Sequence, residues 1–462
     1  MGAEELFWAS KAAEVEAELM ARLPENKLRP RLDPTRMAVE LLGDPQRSYR
    51  VVHVTGTNGK TSTVRFIERI LREYGLRTGR FTSPHLVKLN ERMAIDGEPV
   101  DDRVLYEVWQ DIKPIIEIVD ATLEAQGESK LTYFETLAVL GFAVFADAPV
   151  EVLVLEVGMG GEWDSTNVAD GDVAVFTPIG LDHTDRLGNT IEEIAATKAG
   201  IIKPGSIVVS AKQPAAALEI LKARAAEVAD AWAGLGEQFE VLDATGEAFG
   251  QRFSVRGTAG QYDHLFFPLL GEHQLENIAV AIAAVEAFMG GTSKPIEQDV
   301  LRAALVDVSS PGRLQVISRD PLVILDAAHN PHGARSLSKA LVDSFGAPYT
   351  IAVVAVLSDK DAEGIFNELD ETIQAVVVTQ SSSERAIPAA ELGSLASKVL
   401  GAERVTVVAD PIAALDQAIA DLPKDFPAAV VVTGSISLVG EILKHQQLNI
   451  DFEEAEDEDD NE

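Results

Sequence analysis

Short β-branched runs alternate along the chain with segments whose apolar residues recur at helical spacing. Arg50-Val-Val-His-Val-Thr55 reads as a strand, and in Thr61 to Tyr74 the residues Val64, Ile67, Ile70, Leu71 and Tyr74 share one helical face before Gly75 supplies a C-cap. Further strands are predicted at Glu151–Val157, Val173–Thr177 and Ile207–Ser210, with helices between them. Such alternation predicts an α/β fold whose parallel sheet is covered on both faces. A helix over Gln274–Met289 ends in the turn-rich Gly290-Gly-Thr-Ser-Lys-Pro295, after which the alternation restarts. Strands at Leu322–Leu325, Thr350–Val356, Ala375–Thr379, Val405–Val408 and Ala429–Thr433 suffice for a second, smaller α/β domain. The expected division is 1–295, 296–446 and a solvated acidic tail over 447–462.

Length and charge sharpen this picture. At roughly 150 residues per domain, 462 residues fit two to three domains. The 74 acidic against 39 basic side chains give a net charge of -35, which argues against general nucleic-acid binding or attachment to anionic lipid. Yet Lys27 to Arg92 holds 14 basic and 6 acidic residues, a net of +8, and so marks the place to look for an anionic ligand. With no cysteine there is neither a disulfide nor a thiolate metal site. The N-terminal helical pattern of Leu6, Phe7, Val15, Leu19 and Leu23 lacks the features of a signal peptide. The most apolar stretch, Leu137 to Val157, is broken by Asp147, Pro149 and Glu151 and is too short to span a membrane. A cytoplasmic protein is expected.

Candidate chemistry centres on His53-Val-Thr-Gly-Thr-Asn-Gly-Lys-Thr-Ser62, which joins a strand to a helix. Its glycines let backbone N–H groups turn inward, and Lys60 can reach terminal phosphates. The strict phosphate-loop pattern wants a glycine where Val54 stands, so this is a variant form. In a parallel α/β sheet ligands collect at the carboxyl ends of the strands. There stand Glu156, closing an apolar run, then Asp182-His183 after the next strand, and Ser83 after Arg80-Phe-Thr82. Beside a phosphate loop these oxygens and the imidazole suit Mg²⁺. Lys198 is notable for its small, apolar neighbours, Ala195-Ala-Thr-Lys-Ala-Gly-Ile-Ile202.

Taken together, these segments resemble the folylpolyglutamate synthase/dihydrofolate synthase family of the ATP-dependent muramyl ligase superfamily. The resemblance runs from about Leu32 to Leu443 through Gly56 to Ser62, Ser83-Pro-His-Leu86, Leu131-Thr-Tyr-Phe-Glu135, Glu156-Val-Gly-Met-Gly-Gly161, Asp164-Ser-Thr-Asn167 and Asp182-His183. It continues through Lys198-Ala-Gly-Ile201, Gly271-Glu-His-Gln-Leu-Glu-Asn277, Pro311-Gly-Arg313, Leu325-Asp-Ala-Ala-His-Asn-Pro331 and Thr433-Gly-Ser435. It implies an N-terminal phosphate-loop ATPase domain, a smaller Rossmann-like C-terminal domain and an active site in the cleft between them. Asn58, Gly59, Lys60 and Thr61 would hold ATP phosphates, with Asn277, Arg313 and Asp326 completing the nucleotide site. Ser83 and Glu156 would bind one Mg²⁺ and His183 a second. Lys198 would be carbamylated, since an ammonium cannot ligate a metal but a carbamate can. Lys60, His183 and Lys198 are thus the catalytic expectations. Thr132, Tyr133, Phe134 and Glu135, with Trp163, Asp164 and Ser165, would contact the pterin substrate, and His329 and Ser435 the incoming glutamate.

The resemblance implies an ATP-dependent ligase acting on small molecules alone as a monomer, adding L-glutamate to folates and also to dihydropteroate, or to folates only. Three positions depart from the family pattern. Thr61 stands where glycine is usual, Glu162-Trp163 replaces Arg-Leu beside the pterin site, and Thr197 replaces glutamate before Lys198. The 54 residues before Thr55 are too few for the uridine-nucleotide domain that muramyl ligases carry there.

Overall fold

The computed structural model describes residues 2–24, 31–247, 250–290, 293–346 and 349–446. Two compact units emerge. One comprises residues up to Thr245 with Arg252–Pro268 and Leu275–Val308; the other holds Gly246–Gln251, Leu269–Gln274 and the chain from Ser309. The expected acidic tail over 447–462 lies outside the described residues.

The first unit is built on eight strands: β1 (Arg50–Thr55), β2 (Thr78–Phe81), β3 (Met93–Ile95), β4 (Glu98–Pro99), β5 (Val152–Glu156), β6 (Val173–Phe176), β7 (Ile207–Ser210) and β8 (Ala231–Gly234). Their order is β4-β3-β2-β5-β1-β6-β7-β8. From β2 to β8 along that order all neighbours run parallel, and at the edge β3 alone is reversed, antiparallel to both β2 and β4. Helices on both faces bury β1, β5 and β6 almost completely, which explains their near-continuous apolar sequences. Because β1 lies between β5 and β6, the loops leaving Thr55, Glu156 and Phe176 emerge side by side. No helix among the described residues is long and apolar enough to cross a membrane.

The structure departs from the sequence expectation beyond the unanticipated strands β3, β4 and β8. β9 (Glu240–Glu247), β10 (Gly250–Arg256) and β11 (Gln261–Phe267) form a separate three-stranded sheet, ordered β11-β10-β9, where no strand was anticipated. Their apolar residues are few and interspersed with charge, so the period-two signal is faint. The division between units falls after Val308, not after Pro295. Helix Gln298–Val306 buries Leu301, Ala304 and Leu305 and packs against helix Lys60–Glu73 and β11, which assigns it to the first unit.

The second unit has β12 (Gln315–Arg319), β13 (Leu322–Leu325), β14 (Tyr349–Val354), β15 (Ala375–Val378), β16 (Val405–Val407) and β17 (Ala428–Thr433), ordered β12-β13-β17-β14-β15-β16. Only β12 is antiparallel. The expected smaller α/β domain is therefore present, with one antiparallel edge strand added. Its core joins Ile324, Ala352, Val354 and Val431 of the sheet to Leu337, Phe366 and Leu392 of the covering helices.

Candidate active site

The phosphate loop is fixed by steric necessity. At Gly56, φ is +151°, and a Cβ there would lie 1.9 Å from the Thr177 hydroxyl and 2.9 Å from its carbonyl oxygen. Gly59 (φ +85°) starts helix Lys60–Glu73, and its own Cβ would sit 2.6 Å from Oδ1 of Asn277. Asn277, on helix Glu272–Gly290, therefore flanks the loop that carries Asn58, Gly59, Lys60 and Thr61. Thr57 stitches the loop to the turn after β6: its N–H donates to Pro178 O at 2.9 Å, and its hydroxyl meets both Gly180 O and Gly180 N at 3.0 Å. The Lys60 ammonium folds over the loop and donates to the carbonyls of Gly56 and Thr57, each at 3.2 Å.

Glu156 ends β5 beside this loop and is only 1% exposed. The Thr61 hydroxyl donates to its two oxygens at 2.9 and 3.1 Å, and the Ser83 N–H donates at 3.4 Å. Arg65 stands one helical turn beyond Thr61. Burial and the Arg80 charge push it down to about 10, while Glu91, Glu68 and Glu156 oppose the shift, so it remains a cation at neutral pH. On the other side of β1, His183 adopts a left-handed conformation (φ +49°), with its N–H donating to Asp182 Oδ1 at 2.9 Å. That strain in a non-glycine residue is a mark of functional turns. No group of three or more His, Asp or Glu side chains able to hold a metal occurs among the described residues. Thr61, Ser83 and Glu156 nonetheless gather hard oxygen donors next to the phosphate loop, a set that fits Mg²⁺ once phosphate oxygens complete it.

Lys198 lies in the last turn of helix Ile191–Ala199, 3% exposed, and donates at 2.8 Å to the same Gly56 carbonyl that Lys60 reaches. Burial, reinforced by the Lys60 charge, lowers it to about 7 against the opposing pull of Asp182 and Asp164. Much of the population at neutral pH is thus the free amine, the form that can react with carbon dioxide. Its small neighbours are required: a Cβ on Gly161 would meet the carbonyls of Thr197 and Lys198 at 2.8 Å.

Comparison with known proteins matches residues 54–285 to the Mur ligase middle domain and 312–436 to the Mur ligase, glutamate ligase domain. A Mycobacterium tuberculosis protein named dihydrofolate synthase/folylpolyglutamate synthase is 38% identical over 92% of this chain and 92% of its own length. The chain belongs to that family. A Lacticaseibacillus casei relative named folylpolyglutamate synthase is 37% identical over 76% of this chain and 81% of its own. The solved M. tuberculosis folylpolyglutamate synthase complexed with ADP and AMPPCP aligns with a TM-score of 0.88 at 38% identity, covering 94% of this chain and 97% of that one.

Several side chains expected to contact substrate also hold local structure in this family member. Thr132 and Glu135 form a reciprocal capping box at the start of helix Tyr133–Asp147, and Arg31 grips Glu135 with Nε and Nη2 at 2.8 and 3.0 Å. Asp164, 4% exposed, accepts from Met159 N, Thr166 N and the Thr166 hydroxyl at 2.8, 2.9 and 2.6 Å. Its carboxylate therefore shapes the 158–167 loop. Ser165 accepts from the Thr35 hydroxyl at 3.3 Å. Phe134 is buried against Phe81 and the bare face of Gly158. Tyr133 and Trp163 remain partly exposed, and Glu162 is exposed.

In the second unit Asp326 ends at the carboxyl side of β13, accepting from Leu314 N and Ala328 N at 2.9 Å each. Burial raises its pKa although the Arg313 charge opposes this. His329 Nδ1 lies 2.9 Å from Ala327 O, which makes Nδ1 the protonated nitrogen. Ser435, after the neighbouring β17, is joined to the same turn through Gly434 N and the Thr433 hydroxyl, both donating to Ala328 O.

Four residues drew no attention as sequence. His53, buried on β1 and lowered to about 3 mainly by burial, bonds the Thr166 hydroxyl at 2.9 Å. Arg92 donates to His85 Nδ1 at 2.9 Å and lies 5.5 Å from the Tyr133 ring centre. Arg65 could have been found from its spacing to Thr61. Gln213, described below, carries no sequence signal beyond following a strand.

Proposed function

We propose that this protein uses ATP to couple the amino group of L-glutamate to a carboxylate of folates, and also of dihydropteroate. The observation that carries the reading is the convergence of Lys60 and Lys198 on the Gly56 carbonyl with Glu156 and Thr61 opposite, in a chain whose relatives bear these names. A carboxylate is a poor electrophile. The substrate carboxylate attacks the terminal phosphorus of ATP, ADP leaves, and an acyl phosphate forms. The glutamate amine then attacks its carbonyl carbon, phosphate departs with the C–O electron pair, and the amine proton passes to solvent. The chain's share is positioning and charge: Lys60 and the inward N–H groups of the loop hold the phosphates, and Arg65 adds a fixed cation nearby. Two Mg²⁺ ions, held by Ser83, Glu156, His183 and a carbamylated Lys198, would supply neutralisation of the transferring phosphoryl group.

Offering dihydropteroate and tetrahydrofolate separately, with ATP and glutamate, tests this by product mass spectrometry. Each should gain one glutamate with stoichiometric ADP. The L. casei relative, named for the polyglutamate activity alone, keeps a second reading in view. Consumption of tetrahydrofolate but never dihydropteroate selects it, and ADP release without either acceptor overturns both.

A further inference from the structure

Gln213 lies outside every segment assigned to the site, just past β7, the strand neighbouring β6. Its amide is fully engaged: Oε1 accepts from Ile179 N at 2.9 Å, while Nε2 donates to Thr177 O at 3.0 Å and to the Ser210 hydroxyl at 3.3 Å. These partners also fix which end of the amide is nitrogen, because a carbonyl can only accept and a backbone N–H only donate. Helix Ala215–Val228, which follows Pro214, begins without a side-chain cap, and the nearby amide is turned across the sheet instead. The turn it clamps is the one that Thr57 grips from the other side through Pro178 O and Gly180. The Thr177 carbonyl is also the wall against which Gly56 packs, and the Gly56 carbonyl receives both Lys60 and Lys198. Three residues beyond Gly180 comes the strained His183.

We propose that Gln213 is a positioning residue for the nucleotide: by pinning the 177–180 turn it fixes the phosphate loop and His183 relative to one another. The inference rests on the ligase reading only in taking the phosphate loop as the ATP site. The nearest analogy is the outer-shell partner of a metal ligand, whose removal typically costs 10- to 100-fold.

The test uses the full chain with Gln213→Met, which keeps length but loses both polar ends, and Gln213→Glu, which keeps the acceptor for Ile179 N but turns a carboxylate toward the Thr177 carbonyl. ADP with Mg²⁺ is the probe, titrated by calorimetry in the absence of folate and glutamate. Both variants should bind it about 10-fold more weakly or worse, with KM for ATP rising in step and KM for L-glutamate nearly unchanged. Thr57→Val should give a similar loss. Combined with Gln213→Met it should add little, because both act through one turn. Normal ADP affinity in both Gln213 variants overturns the proposal, as does full additivity or an equal rise in every KM accompanied by a lowered melting temperature. A wild-type chain that binds ADP but forms no amide would defeat the ligase reading instead, so the two failures are distinguishable.

Discussion

Lys198 is where a single residue's environment has the widest consequence. An unfolded lysine titrates near 10.5, whereas the buried one does so near 7. Between those values the unfolded chain holds more protons, so this group makes stability rise with pH from about 7 to 10.5 and adds nothing further below 7, where both states are protonated. In bicarbonate-free buffer, Lys198→Met should therefore gain melting temperature relative to wild type at pH 6 to 7, and that advantage should shrink steadily as pH rises toward 10.5. A gap independent of pH would show that the amine is not held near 7. In bicarbonate, the wild type should carry a carbamate detectable with ¹³C label, while Lys198→Ala should lack it, lose turnover, and regain part of it with short added carboxylates. Gly56→Ala tests the opposite wall of the same carbonyl: with a Cβ 1.9 Å from the Thr177 hydroxyl, the loop must move and ADP binding should be lost.

At the scale of elements, the start of helix Tyr133–Asp147 separates two roles that sequence alone could not. Glu135 accepts from Thr132 N at 2.7 Å and pairs with Arg31, so Glu135→Ala removes a cap worth about 1 kcal/mol and leaves a shielded guanidinium with fewer partners. The expected result is a lower melting temperature with KM for folate little changed; an unaltered melting temperature with a raised KM would make Glu135 chiefly a substrate contact. The motif was legible because a Thr-x-x-Glu box and a substrate segment have the same letters. What the letters could not show was where the carboxylate points. β1, β7 and β13 were legible to the residue because their apolar runs are unbroken by charge, and the phosphate loop because glycine spacing betrays an inward-turned backbone. Strands β9 to β11 were not, since Glu240–Glu247 keeps most of its side chains in water and leaves no alternation to read. Gln213 and His53 were invisible for a related reason: their importance lies in strand adjacency, β7 to β6 and β1 to the 158–167 loop, which no local window contains.

Across the whole molecule the question is how an enzyme with a charge of -35 receives polyanionic substrates. The net +8 of Lys27–Arg92 is less available than its count suggests. Arg36 pairs with Asp33, Arg50 with Asp172, Arg69 with Glu73 and Arg80 with Glu68, so part of that charge is neutralised within the fold, and the attraction a bound phosphate meets at the loop comes from Lys60. Attraction of that kind acts at contact distance and is screened little, whereas repulsion from the acidic body acts through solvent and fades beyond about 8 Å at physiological salt. The last twelve residues contribute nine of the negative charges, so deleting residues 451–462 changes the net charge from -35 to -26. The two effects then separate by ionic strength. Truncation should leave KM for ATP unchanged near 0.15 M salt, where the Debye length is about 8 Å, and lower it near 0.01 M, where the length grows to about 30 Å and each removed charge is felt. Steady-state kinetics of the full and truncated chains at both salt concentrations decide the matter. A difference that persists at the higher salt would mean that the tail acts on the site at short range, and a truncated chain with a raised KM at low salt would reverse the sign of the argument.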